Sequence, residues 1–172
     1  ACPQDMTIIA IATGGAYCVD SSEVSKGQYN KFVTANVPVS TQAGACLATN
    51  DTFVPRGAWP PAEAPGPLEF NLGLPVHYVD WCDARAYCGW AKKQLCGTIN
   101  GAALAPVDAN NPVKSAWYNA CSAQGTKTFP YGAVPFDSTK CNGDGVGAAG
   151  VNATPDDRTG GFGYASNEDD GV

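Results

Sequence analysis

The chain has 172 residues, enough for one domain with its own core. Ten basic against sixteen acidic residues leave a formal charge of −6, so the basic footprint that nucleic acid or an anionic membrane demands is missing. Twenty glycines and thirteen prolines, with only 15% of residues charged, favour a loop-rich domain over a helical bundle.

Eight cysteines form an even set in an acidic chain, which points to disulfides and an oxidising compartment. The candidates are Cys2, Cys18, Cys46, Cys82, Cys88, Cys96, Cys121 and Cys141. A zinc site is disfavoured, because there is no CxxC, Cys82…Cys88…Cys96 lacks finger spacing, and His77 is the one histidine. Eight cysteines allow on the order of a hundred pairings, and the sequence does not choose among them. No apolar run reaches the ~20 residues of a membrane span. Ala1-Cys2-Pro3 has neither a basic n-region nor an apolar h-region, so the chain reads as a mature secreted or periplasmic protein.

Met6 to Ile11, apolar and β-branched and closed by Gly14-Gly15, predicts an opening strand. Ser25 with Gln28 three residues on forms a capping box, and Tyr29, Phe32 and Val33 give the helix behind it one apolar face. Six prolines between residues 36 and 73 forbid long regular elements, so this stretch is expected to be a loop packed by Phe53, Trp59 and Phe70. Those aromatics are expected to cover the core rather than to grip a ligand. A second helix begins at Asp80, an N-cap with Asp83 at N3, and Ala84, Tyr87, Cys88 and Ala91 form its buried stripe. Cys82 and Cys88 lie about 240° apart around that helix and so cannot form one dithiol site. After a loop over 97–110, Asn111 with Pro112 at N1 predicts a third helix, with Val113, Ala116, Trp117 and Ala120 inward and Gly125 as its stop.

From Cys141 to Val172 large apolar groups thin out, and Asn167-Glu168-Asp169-Asp170 is acidic. Asn50-Asp51-Thr52 and Asn152-Ala153-Thr154 are formal glycosylation sequons of the common, usually unmodified kind, and a bacterial source would leave them silent. His77 has no nucleophile elbow beside it, and helix capping accounts for Asp80 and Asp83, so these residues assemble no catalytic constellation.

Three blocks carry a resemblance. Leu74 to Lys93 is similar to the PVxxVxWxDAxAYCxWxxK signature of the formylglycine-generating-enzyme, or sulfatase-modifying-factor, family. Cys18-Val19-Asp20 through Phe32 is similar to its iDxxEVTnxqYxxF block, and Ala116 through Gly132 to its EWEyAcrgG…yPwG block. The resemblance implies an α+β fold with little regular secondary structure, a disulfide-stabilised, loop-rich variant of the C-type-lectin-like fold. It implies one domain over residues 1–172, with 141–172 as a calcium loop. Asn142, Gly143, Asp170 and Val172 are the positions matching the family's structural Ca²⁺ ligands, a hard-oxygen set that suits this ion.

The family's enzymes oxidise a substrate cysteine to formylglycine, using two cysteines five positions apart that bind copper as thiolates. That pair, with the GNVWEW and RGGSW blocks around it, has no counterpart here, and Gln94 and Cys96 depart from the RLPTEAEWE block. In some members the cysteines equivalent to Cys88 and Cys121 pair with cysteines in that same C-terminal third. The expectation is therefore a secreted, non-catalytic binding or structural domain, calcium-stabilised and incomplete at its C-terminus. The rivals are the N-terminal part of a copper-dependent formylglycine-generating-type oxidase, or a related iron-dependent one, and a subunit of an extracellular assembly completed by a second chain.

Overall fold

The computed structural model describes residues 1–56, 59, 72–73, 75–129 and 131–132. The described residues divide into two compact units: Ala1–Glu23 with the described residues from Cys96, and a central unit, Val24–Leu95.

In the first unit β1 (Met6–Ala10) pairs antiparallel with β2 (Ala16–Asp20), with Ile8 opposite Cys18. The turn between them needs glycine: Gly14 and Gly15 have φ of +100° and +87°, left-handed values that other residues adopt at a cost. The Gly14 N–H donates to the Ile11 carbonyl at 2.9 Å, closing the turn. A disulfide between Cys2 and Cys18 ties the N-terminal segment to β2.

The third helix begins later than its sequence suggests. Asn111 does not cap it; its side chain accepts from the Val113 N–H at 3.1 Å and shapes a turn. Residues 97–99 run antiparallel to 114–116, with Ile99 N–H donating to Lys114 and Ala116 N–H to Gly97, and Thr98 bridging Ser115. Residues 112–114 turn on the Asn111 carbonyl, which accepts from the Lys114 and Ser115 N–H groups, and the pairing then holds Ser115 extended, so that its hydroxyl caps the helix by accepting from the Tyr118 N–H. The helix runs over Ala116–Cys121 and, of the four residues expected to face inward, only Ala116 is fully buried. Val113 and Trp117 are exposed, while Ser115, Asn119 and Ser122 are buried. The interior here is a hydrogen-bonded polar cluster, which an apolar-periodicity rule cannot see.

In the second unit α1 (Lys26–Thr34) starts with both halves of its capping box in place: Ser25 Oγ accepts from Gln28 N–H, and Gln28 Oε1 accepts from Ser25 N–H. The described residues that follow α1 include a 3-10 turn, Val39–Thr41, and a short helical turn, α2 (Gly44–Leu47). α3 (Trp81–Trp90) begins with the reciprocal Asp80–Asp83 box and ends at Ala91, with Lys92 in a left-handed conformation at φ +60°. The chain leading to it is tied back to the start of α1, where Val76 N–H donates to the Val24 carbonyl at 2.8 Å and Ser25 bridges Pro75. The first unit's helix Ala116–Cys121 is α4.

The core of this second unit is aromatic. Tyr29 and Phe32 of α1 meet Tyr87 of α3 at ring separations of 5.5 and 5.8 Å, and Phe53 closes on Phe32 at 5.1 Å. Trp59 packs edge-on against Tyr29, so Phe53 and Trp59 cover the core as expected, and Phe70 lies outside the described residues. The Tyr29 hydroxyl is satisfied by donating to the Phe53 carbonyl at 3.0 Å.

Candidate functional site

The expected calcium ligands Asn142, Gly143, Asp170 and Val172, together with Cys141, lie outside the described residues. Among the described residues no three His, Cys, Asp or Glu side chains gather closely enough to hold a metal ion. The chemistry-bearing side chains that the structure does place fall into two clusters, one in each unit.

The first cluster sits at the start of α3. Asp83 is buried, accepting from Asn50 Nδ2 at 2.7 Å through one oxygen and from the Asp80 N–H at 3.2 Å through the other. Asp80 returns the contact by accepting from the Asp83 N–H at 2.9 Å. Asn50, itself 8% exposed, also donates to Gln42 Oε1, and its carbonyl accepts from Gln42 Nε2. Burial raises the Asp83 carboxyl above its ordinary value, opposed by the bonds from Asn50 and Asp80 and by the nearby Arg56 charge. The same two aspartates, after burial itself, push the Tyr29 hydroxyl upward. Next to Asp83, Cys82 is joined to the buried Cys46 of α2. A covalent bond and a buried hydrogen bond thus clamp the 42–53 segment onto the first turn of α3. Cys88, on the opposite side of the helix, packs against the aromatic core, so the helical separation of Cys82 from Cys88 is used to serve two different neighbours.

His77 is exposed and stacks edge-on with Tyr78, whose backbone is left-handed at φ +60°. Trp81, also exposed, carries the Arg85 guanidinium 5.2 Å over its ring.

The second cluster surrounds Tyr17 of β2. Its hydroxyl is directed at the Ala116 carbonyl and at Asn119 Oδ1, the latter at 3.0 Å, and Asn119 Nδ2 donates to the Pro112 carbonyl. Burial, with Cys96 and Cys121 as lesser causes, pushes the Tyr17 hydroxyl up to about 12. The Cys121 thiol is likewise pushed up to about 12, by burial first and Cys96 second. Cys96 is exposed as a residue, yet desolvation around its sulfur, with Asp20 adding, raises its thiol as well. Sequence reasoning missed this cluster, since its members are spread from Tyr17 to Cys121 and no local spacing announces it.

Two short helices on an aromatic core, a disulfide-tied hairpin and long irregular connections define a small, disulfide-braced, loop-rich α+β domain. Residues 10–154 match the sulfatase-modifying factor enzyme 1-like domain, and the chain belongs to that family. No curated protein and no solved structure matches the chain.

Proposed function

We propose that this chain is a secreted, calcium-stabilised scaffold domain of the C-type-lectin-like kind, serving binding or structure rather than catalysis. The observation that carries the reading is the use to which the signature block is put. Asp80 and Asp83 cap α3, Cys82 anchors α2, and Tyr87 and Cys88 build the core, so the residues that mark the family are spent on holding the domain together. Disulfides are compatible with an extracellular location, and no described helix is long and apolar enough to cross a membrane.

Asn142, Gly143, Asp170 and Val172 would supply Ca²⁺ with two side-chain and two carbonyl oxygens, the hard donors that ion prefers. Calcium bound only by the folded chain stabilises it by mass action. Thermal melting with and without a chelator tests this: calcium raises Tm for the native chain, and Asp170→Asn removes most of that rise. An unchanged Tm over millimolar calcium would overturn the calcium assignment. The non-catalytic reading is tested separately, with the copper-loaded chain and a cysteine-containing substrate peptide. Conversion of that cysteine to formylglycine would replace the scaffold reading with an oxidase one. Co-purification of a second chain that cannot be removed without unfolding would favour the assembly-subunit reading.

A further inference from the structure

Asn100-Gly101 is one of two Asn-Gly dipeptides in the chain, the other being Asn142-Gly143. In such a dipeptide the backbone nitrogen of the glycine can attack the carboxamide carbon of the asparagine, because glycine puts no side chain in the way. Both Asn100 and Gly101 are exposed, so water reaches the site. The fold, however, occupies the nucleophile. The Gly101 N–H donates to the Thr98 carbonyl at 2.8 Å, and Gly101, at φ +81°, takes the left-handed position that ends the loop over 99–101. Thr98 closes that loop: its N–H donates to the Ala102 carbonyl at 2.8 Å, and its Oγ1 accepts from the Ala102 N–H at 2.9 Å. Behind the loop, Ile99 N–H donates to Lys114 and Ala116 N–H to Gly97, the pairing that leads into α4. Space is tight as well, since a side chain at Gly97 would collide with the Ala102 carbonyl.

We propose that Asn100 is a deamidation site that this turn holds shut, modified when the turn over 98–102 opens and protected while it is formed. In the reaction the Gly101 nitrogen gives its proton to a solvent base and bonds to the carbonyl carbon of the Asn100 side chain. The side-chain nitrogen leaves as ammonia. Water then opens the resulting cyclic imide at one carbonyl or the other, leaving aspartate or isoaspartate. In the formed turn the Gly101 N–H is held on the Thr98 carbonyl, so that hydrogen bond has to break before the nitrogen can reach the Asn100 side chain. Isoaspartate routes the main chain through the Cβ of residue 100 and lengthens the loop by a methylene group. A longer loop does not fit the Thr98–Ala102 bonds over Gly97, so the change disturbs the pairing that sets Ser115 as the cap of α4. Each chain that opens here is thereby marked permanently, with a negative charge where the amide stood. The site stands apart from the scaffold reading and does not depend on it.

The test holds the full chain at mildly alkaline pH in native buffer and, in parallel, in guanidinium chloride. Trypsin then releases Asn100 on 94–114 and Asn142 on 141–158. Peptide 94–114, resolved into aspartate and isoaspartate forms by chromatography and mass, is expected to deamidate at least about tenfold more slowly in native buffer than in denaturant. Asn100→Gln should abolish the signal in denaturant, which separates Asn100 from Asn110 and Asn111 on the same peptide. Thr98→Val keeps the side-chain shape and removes the Oγ1 that serves Ala102, so it should speed the native reaction and leave the denatured rate unchanged. Equal rates at Asn100 in native and denaturing buffer would overturn the gate, as would a native rate unmoved by Thr98→Val. Conversion of Asn142 without conversion of Asn100 in denaturant would overturn the site itself.

Discussion

Asn50 shows how far a single residue's role depends on where it is folded. Its tripeptide is a formal glycosylation acceptor, yet its Nδ2, the atom a glycan would occupy, already donates to Asp83 and Gln42 in a buried site. Expression in a glycosylating host should therefore leave Asn50 unmodified, and glycopeptide mass spectrometry checks this. Asp83→Ala removes the shorter of the two bonds from a buried amide, leaving the one to Gln42, and undoes the N-terminal box of α3, at a cost of about 2–3 kcal/mol in denaturant unfolding. The carboxyl also makes stability depend on pH. Because burial raises it above its ordinary value of 3.8, the folded chain holds that proton more tightly than the unfolded chain. Its contribution is complete below the unfolded value and fades as pH rises through the raised folded value. Melting of the native chain and of Asp83→Asn from about pH 4 to about pH 7 should show the native chain losing ground to the variant as pH rises.

Among the elements, β2 and α4 depend on one another through Tyr17. Tyr17→Phe keeps the ring and removes the hydroxyl that serves the Ala116 carbonyl and Asn119, so a loss of about 1–2 kcal/mol is expected in urea unfolding. The exit from α4 is set by packing as much as by turn chemistry. Gly125 has φ of +81°, and a Cβ there would stand 2.7 Å from Pro112 Cγ. Gly125→Ala should accordingly destabilise the unit beyond the usual cost of a left-handed alanine, read as a lowered Tm. The α1 box, by contrast, is a local device. Ser25→Ala is expected to cost about 1 kcal/mol and to leave the rest of the fold in place.

For the whole molecule, the described apolar core is small: Tyr29, Phe32, Phe53 and Tyr87 are its buried members. A core of that size leaves cross-links a large share of the stabilisation. The Cys46–Cys82 bridge spans 36 residues and Cys2–Cys18 spans 16, so chain entropy assigns them about 4 and about 3 kcal/mol. Reduction under native buffer should lower Tm strongly, and Cys46→Ala with Cys82→Ala should do more damage than Cys2→Ala with Cys18→Ala. Calorimetry of the three samples decides the ranking. The larger effect is expected because Cys46 is buried against the Asn50–Asp83 contact, whereas Cys2 and Cys18 lie nearer the surface.

The sequence by itself determined the parts whose causes lie within four or five residues of one another. The Ser25–Gln28 and Asp80–Asp83 boxes, the Gly14-Gly15 turn and the family signature were legible because capping and turn chemistry act over that range. Tertiary structure alone decided which cysteines pair, where α4 begins, and that Asn50 and Tyr17 are hubs. Each of those outcomes rests on partners between 16 and 102 positions apart. The delayed start of α4 gives the physical reason most plainly. Pro112 and Asn111 favour an earlier helix, but pairing with residues 97–99 supplies backbone hydrogen bonds that a local rule cannot weigh.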